Sequence, residues 1–291
     1  MTTLALILVL LSAVAHATWN FLIKRAANQE VFIWWVLISI SVLLSPLAAI
    51  LIWRYPISYP GWWFILGTAV LHALYFVFLG RSYTCADLSL VYPIARGTGS
   101  VLVVPVIGVL LLKEIITTLA IVGIISVVLG IFTVYWWGQF QKVFRDPFRF
   151  FREAGARYTL LTGLVIAVYS VWDKMGVSYV NPFLYMYFLV LGSALFLAPY
   201  ICRVHGTKVR IEVERRAGSI IMSGLLMFIS YALILFALQF SRVSYISPAR
   251  EVGVVVGVLF GTLLLGEPFG KGRVLGSCLI VFGLVLLSLA S

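Results

Sequence analysis

The chain has 291 residues, 63% of them hydrophobic and 11% charged, with a formal net charge of +11. A soluble domain carries about 45–50% apolar and about 25% charged residues, so a water-soluble fold is excluded. The positive excess sits in short stretches between apolar runs, which points away from nucleic acid and toward retention of Lys and Arg on the cytoplasmic side of a membrane.

A hydrocarbon core about 30 Å thick needs roughly 20 apolar residues as a helix. Ten segments meet this: Leu4–Ile23, Val31–Trp53, Gly61–Gly80, Leu88–Leu112, Thr117–Trp137, Tyr158–Val177, Pro182–Cys202, Gly218–Leu238, Val243–Leu265 and Val274–Ala290. Lipid cannot satisfy the backbone of an open strand, so these segments read as helices of an all-α integral membrane fold. Ala15-His16-Ala17 has the small-x-small pattern of a signal cleavage site, but no basic residue precedes the apolar run. The first segment therefore reads as a transmembrane helix. Trp62–Trp63 and Trp136–Trp137 suit the membrane interface.

Two connections are long and basic. Gly138–Arg157 interleaves Arg145, Arg149 and Arg152 with Phe144, Phe148, Phe150 and Phe151, a mixture that suits either a helix on an anionic surface or a topology-fixing loop. Arg203–Arg216 is the second. One side of the membrane collects 15 Lys and Arg; the other, with both termini, holds Arg54, Lys113, Lys174 and Arg242. This places both termini outside, in a multi-pass protein of a plasma membrane, with a bacterial inner membrane the expected home. Cys85, Cys202 and Cys278 form no CxxC pair and read as inert apolar packing.

Shifted by 153 residues, the chain matches itself. Trp19-Asn20 falls on Trp172-Asp173, Trp34-Trp35 on Tyr187-Phe188, Pro46 on Pro199, Glu114 on Glu267, and Gly123 and Gly130 on Gly276 and Gly283. With a slip of one or two residues, Pro93 pairs with Pro248 and Arg96 with Arg250. The chain thus divides into one five-helix unit over residues 1–137, a basic connection over 138–157, and a second five-helix unit over 158–291. Five is odd, so the second copy enters from the opposite face. The expected fold is ten transmembrane helices as two inverted five-helix repeats, an arrangement of secondary transporters.

Tyr92-Pro93-Ile94-Ala95-Arg96 leading to Leu112-Lys113-Glu114, its copy Ser247-Pro248-Ala249-Arg250-Glu251 leading to Leu265-Gly266-Glu267-Pro268, and His16-Ala17-Thr18-Trp19-Asn20 carry a family likeness. Over its whole length the chain resembles the EamA-type members of the drug/metabolite transporter superfamily. The resemblance implies a transporter rather than an enzyme. Members export amino acids, metabolites, nucleotide sugars or drugs. Many look N-terminus-in, whereas the charge distribution here places the N-terminus outside.

An ionisable group in the hydrocarbon region is a functional candidate by default. Arg96 and Arg250 lie about 10 and about 9 Å into inverted helices, so they approach one centre from opposite sides. Guanidinium grips carboxylate or phosphate in bidentate fashion, which favours a small organic anion or zwitterion. Glu251 reads either as a substrate contact or as the neutralising partner of an arginine. Neighbours on one helix do not face each other, so its natural partner is Arg96. Pro93 and Pro248 free backbone carbonyls or merely sit in first turns. His16 and His72 are proton-relay or packing residues. Asn20 matches Asp173, a coupling candidate whose simpler reading is a solvated pair with Lys174. Trp19, Tyr75, Tyr92, Tyr169, Trp172 and Tyr231 line a cavity or pack. Gly97, Gly99, Gly253 and Gly257 are expected to bring the fourth and ninth helices together.

No phosphate loop, HExxH or Cys/His cluster is present in the sequence, so neither a cofactor nor a metal is expected. The function read from the sequence is alternating-access transport driven by an ion gradient or by exchange, with export of cationic or lipophilic compounds or a lipid-linked flippase as alternatives. Expected partners are the substrate, membrane lipid and a coupling species such as a proton; a homodimer is compatible with such a bundle.

Overall fold

The structure is a computed structural model describing residues 2–24, 26–85, 95–138, 154–206, 208–265 and 270–290. The helices are α1 (Thr3–Lys24), α2 (Gln29–Arg54), α3 (Tyr59–Cys85), α4 (Ala95–Leu112), α5 (Thr118–Trp136), α6 (Ala154–Gly176), α7 (Pro182–His205), α8 (Lys208–Phe240), α9 (Val243–Ala249 continuing as Val252–Leu265) and α10 (Lys271–Leu289). Nine of them are long and apolar enough to cross a membrane. The tenth, α6, is as long but carries Arg157, Asp173 and Lys174. Side chains most exposed on the bundle include Leu110, Leu111, Leu195, Leu263 and Leu289, while Thr68, His72, Arg96, Asp173 and Glu251 are buried. Apolar outside and polar inside is the arrangement lipid requires.

The packing follows the repeat. α1 lies against α8 and α3 against α6; α2 pairs with α7, α5 with α10, and α4 with α9. Exchanging the two halves maps this set onto itself. Pro46 and Pro199 fall inside α2 and α7, the second helix of each copy. Both chain ends lie on one face: Thr2 and Tyr245 line one cavity, and the Tyr245 hydroxyl donates to the Ala290 carbonyl at 3.4 Å. Ends on one face require an even number of crossings. The fold is therefore ten transmembrane helices in two inverted five-helix repeats.

Glycines set the closest contacts. On α5 and α10, a Cβ at Gly130 would lie 2.7 Å from the Gly276 carbonyl oxygen, and one at Gly283 would lie 2.6 Å from that of Gly123. These are the glycines that the 153-residue shift superposes, and small residues let helix backbones meet in lipid. A Cβ at Gly99 would lie 2.2 Å from the Gly163 carbonyl oxygen on α6. This corrects the expectation for the fourth and ninth helices: Gly99 brings α4 against α6. A Cβ at Gly257 would meet open space, one at Gly253 would make only ordinary contact with Ala13, and one at Gly97 would lie 3.6 Å from the Phe132 ring.

Other expectations change. Much of the second basic connection is helical, because α7 runs to His205 and α8 starts at Lys208, with non-helical angles at Arg216. Charged pairs one turn apart, Arg210–Glu214 at 2.7 Å and Arg216–Glu212 at 3.7 Å, support that turn of helix. Of the first basic connection, α6 takes up residues from Ala154 onward; its arginine–phenylalanine stretch, Tyr92, Pro93 and Glu267 lie outside the described residues. Cys202 and Cys278 are free and exposed on the apolar surface rather than packed. Gly130→Val is expected to destabilise the protein by about 1–3 kcal/mol through overpacking. Gly257→Ala should not lower stability, and thermal unfolding in detergent compares the two.

Candidate functional site

The two helices that carry the arginines are irregular at those residues. α4 is π-helical over Ala95–Val103, and Arg96 stands at its start. α9 breaks between Ala249 and Val252, so Arg250 and Glu251 occupy the interruption, two residues after the buried Pro248. Proline removes a backbone donor and disturbs the preceding turn. The two helices touch at Ser100 and Ser247, whose hydroxyls are 3.1 Å apart. Interrupted helices at equivalent places in inverted halves are where transporters build midplane sites.

Two polar groups form around this crossing. In the first, Arg96 is 7% exposed, and its Nε stands 3.6 Å from Glu251 Oε2. Arg96 Nη2 stands 3.0 Å from His16 Nε2, while Trp19 Nε1–H donates to His16 Nδ1 at 3.1 Å. Guanidinium and indole are donors only, and a neutral imidazole accepts at one nitrogen. Trp19 Nε1–H and Arg96 Nη2–H therefore compete for a single imidazole acceptor, and an acceptor supplied by a ligand would relieve that competition.

In the second group, Arg250 lies over the Tyr231 ring, 5.1 Å from its centroid. Tyr231 donates to Asp173 Oδ2 at 2.5 Å, and Thr68 and Tyr185 donate to Asp173 Oδ1 at 2.7 and 2.8 Å. His72 Nδ1 stands 3.1 Å from the Thr68 hydroxyl, with its ring 4.3 Å from Tyr169. Tyr75 meets Tyr169 edge-on at 5.8 Å. The charges of both arginines act on His16 and on Tyr169, so the groups share one centre.

Asp173 is fully buried, and Lys174 turns away to the Leu238 and Ser241 carbonyls. The solvated Asp173–Lys174 pair expected from the sequence is therefore corrected: three hydroxyls, not water, carry the carboxylate. Trp172 lies outside the centre, donating to the Phe64 carbonyl at 2.9 Å and filling the space beside Gly67. Asn20 bonds its own helix at the His16 carbonyl, 2.7 Å away.

The sequence reading missed Thr68 and Tyr185. Thr68 was legible, since it precedes His72 by one helical turn; Tyr185 carried no signal. It also missed a vestibule on the face of the basic connections. This cavity of about 480 Å³ is lined by residues that include Trp19, Asn20, Glu30, Phe76, Arg81 and His205. Glu30 Oε2 accepts from Tyr200 at 3.2 Å and stands 2.7 Å from His205 Nε2. Trp19 belongs both to the vestibule wall and, through His16, to Arg96. On the opposite face, Glu114 accepts from the Val243 and Ser244 N–H groups at 2.9 and 3.0 Å and from the Ser244 hydroxyl at 2.5 Å. That carboxylate ties the α4–α5 connection to the start of α9. Each hydroxyl on Asp173 is a hydrogen bond to a buried charge, so Tyr185→Phe should cost about 1.5–3 kcal/mol, read as a lowered thermal midpoint in detergent.

Among the described residues, no group of three or more His, Cys, Asp or Glu side chains is placed to hold a metal. No curated protein sequence matches the chain. A solved structure, titled only as the crystal structure of a protein, shares the fold with a TM-score of 0.78 at 12% identity, covering 99% of this chain and 98% of its own. Residues 154–289, the second repeat, match the sequence model of the EamA-like transporter family. That match shows the second repeat to be EamA-like, a family of membrane transporters within the drug/metabolite transporter superfamily.

Proposed function

We propose that the protein is a secondary active transporter of a small organic anion or zwitterionic metabolite, exporting or exchanging it by alternating access between its inverted halves. The observation that carries this reading is the pair of arginines at one buried centre, Arg96 with its Nη2 on His16 and Arg250 over Tyr231. A carboxylate or phosphate accepts from guanidinium, and charge-assisted bonds of this kind are the strong ones. The vestibule leads to Trp19 from one face, while Glu114 holds the other face together. These are the features of a state open on the basic side. The Lys and Arg distribution makes that side cytoplasmic, with both termini outside.

Cationic substrates fit less well. Glu251 is already paired with Arg96, and Asp173 is occupied by three hydroxyls. Together the two arginines and two carboxylates balance, which suits a substrate carrying both signs as well as a simple anion.

A thermal-shift screen of metabolites against the purified protein tests the reading. A ligand that binds only the native state stabilises it by about 2.7 kcal/mol at 100 times its Kd. The expected hits carry a carboxylate or phosphate; hits confined to cations or lipophilic compounds would count against it. For a confirmed ligand, Arg96→Lys and Arg250→Lys should each weaken binding at least about tenfold, or about 1.4 kcal/mol, because ammonium cannot reproduce the fork. Reporter tags after Ser291 and within residues 139–150 should read as outside and inside, respectively.

A further inference from the structure

Two carboxylates are fully buried at the centre, and their surroundings differ. Asp173 accepts from three hydroxyls. Neither oxygen of Glu251 has a hydrogen-bond donor among the described residues. Its cation is Arg96, whose Nε at 3.6 Å is beyond hydrogen-bond length. Other ionisable groups surround the pair. Arg250 neighbours Glu251 on α9. His16 of α1 touches Arg96. Tyr169 and Asp173 come from α6, and Tyr231 of α8 stands between Arg250 and Asp173. A buried ion without donors depends on its counter-ion, and when that partner is lost the group neutralises rather than remain charged. A carboxylate or phosphate arriving at Arg96 takes that partner away.

We propose that Glu251 is the coupling site, taking up one proton as the anionic group of the substrate displaces it from Arg96. This rests on Arg96 being a substrate contact. The proton comes from water on the face to which the site is open, and it forms one O–H bond on a Glu251 oxygen. No other covalent bond changes. Anion and proton then cross in the same direction, one for one, and the proton returns to water when the Arg96–Glu251 pair re-forms. A zwitterion supplies its own ammonium to Glu251 and travels without the proton. Asp173, named from the sequence as the coupling candidate, keeps its three donors in both situations and serves as a fixed charge beneath Tyr231 and Arg250.

The test needs no substrate. In the full-length protein, Arg96→Gln removes the cation much as an arriving anion would neutralise it. Infrared difference spectra at neutral pH report protonated carboxyl groups through their C=O stretch. Arg96→Gln should gain one such signal. It should vanish when Glu251→Gln is added and survive when Asp173→Asn is added, and Arg96→Lys should gain none. An Arg96→Gln protein with no new protonated carboxyl overturns the proposal, as does a signal that depends on Asp173. If Arg96→Gln does not fold, Arg96→Met decides. It should gain the same Glu251-dependent signal, and a folded Arg96→Met protein without it overturns the assignment. Because no ligand enters, failure here is separate from failure of Arg96 as a substrate contact, which ligand binding reads.

Discussion

A guanidinium does not give up its charge, and this chain carries two of them in the middle of a membrane bundle. Everything around Arg96 and Arg250 follows from supplying what those charges need. Glu251 comes from the opposite repeat, because a residue next to Arg250 cannot face it on the same helix. Tyr231 offers its ring face to Arg250 and its hydroxyl to Asp173. The backbone yields at the same points, as a π-helix at Arg96 and a break at Arg250. Regular helices would seal this centre; interrupted ones leave it able to rearrange.

The two copies agree in scaffold and differ in chemistry. Gly123 and Gly130 meet Gly283 and Gly276 in a pairing that the repeat maps onto itself. Around the arginines the symmetry lapses. The 153-residue shift sets Tyr169 where the first copy has His16, and Asp173 where it has Asn20. An exchange of conformations between the halves therefore does not return the same site. Arg96 faces an imidazole and a carboxylate without donors, while Arg250 faces an aromatic network anchored by a well-bonded carboxylate. That difference separates a group that exchanges its partner from one that holds its place.

Much of the fold was legible because lipid leaves few choices. Apolar runs of sufficient length had to be helices, and the repeat with an odd count fixed their inversion. The pairing of Arg96 with Glu251 was also legible, from the rule that helix neighbours diverge. The rest depends on tertiary contact. Asp173 lies beside Lys174 in sequence, and only packing of α3, α7 and α8 shows that three hydroxyls reach it instead. Gly99 meets α6 rather than α9 because crossing partners are set by the whole bundle. The helical second connection escaped because its charges look loop-like until their one-turn spacing is paired.

Alternating access makes one demand that no substrate is needed to test: the crossing of α4 and α9 must meet water from each face in turn. With Cys85, Cys202 and Cys278 replaced by Ser, Ser100→Cys and Ser247→Cys can be treated in membranes with an impermeant thiol reagent added from either side. Alternating access requires that the same cysteine be labelled from both faces, with reagent on one side protecting against the other. Labelling from a single face, or from neither, would contradict it.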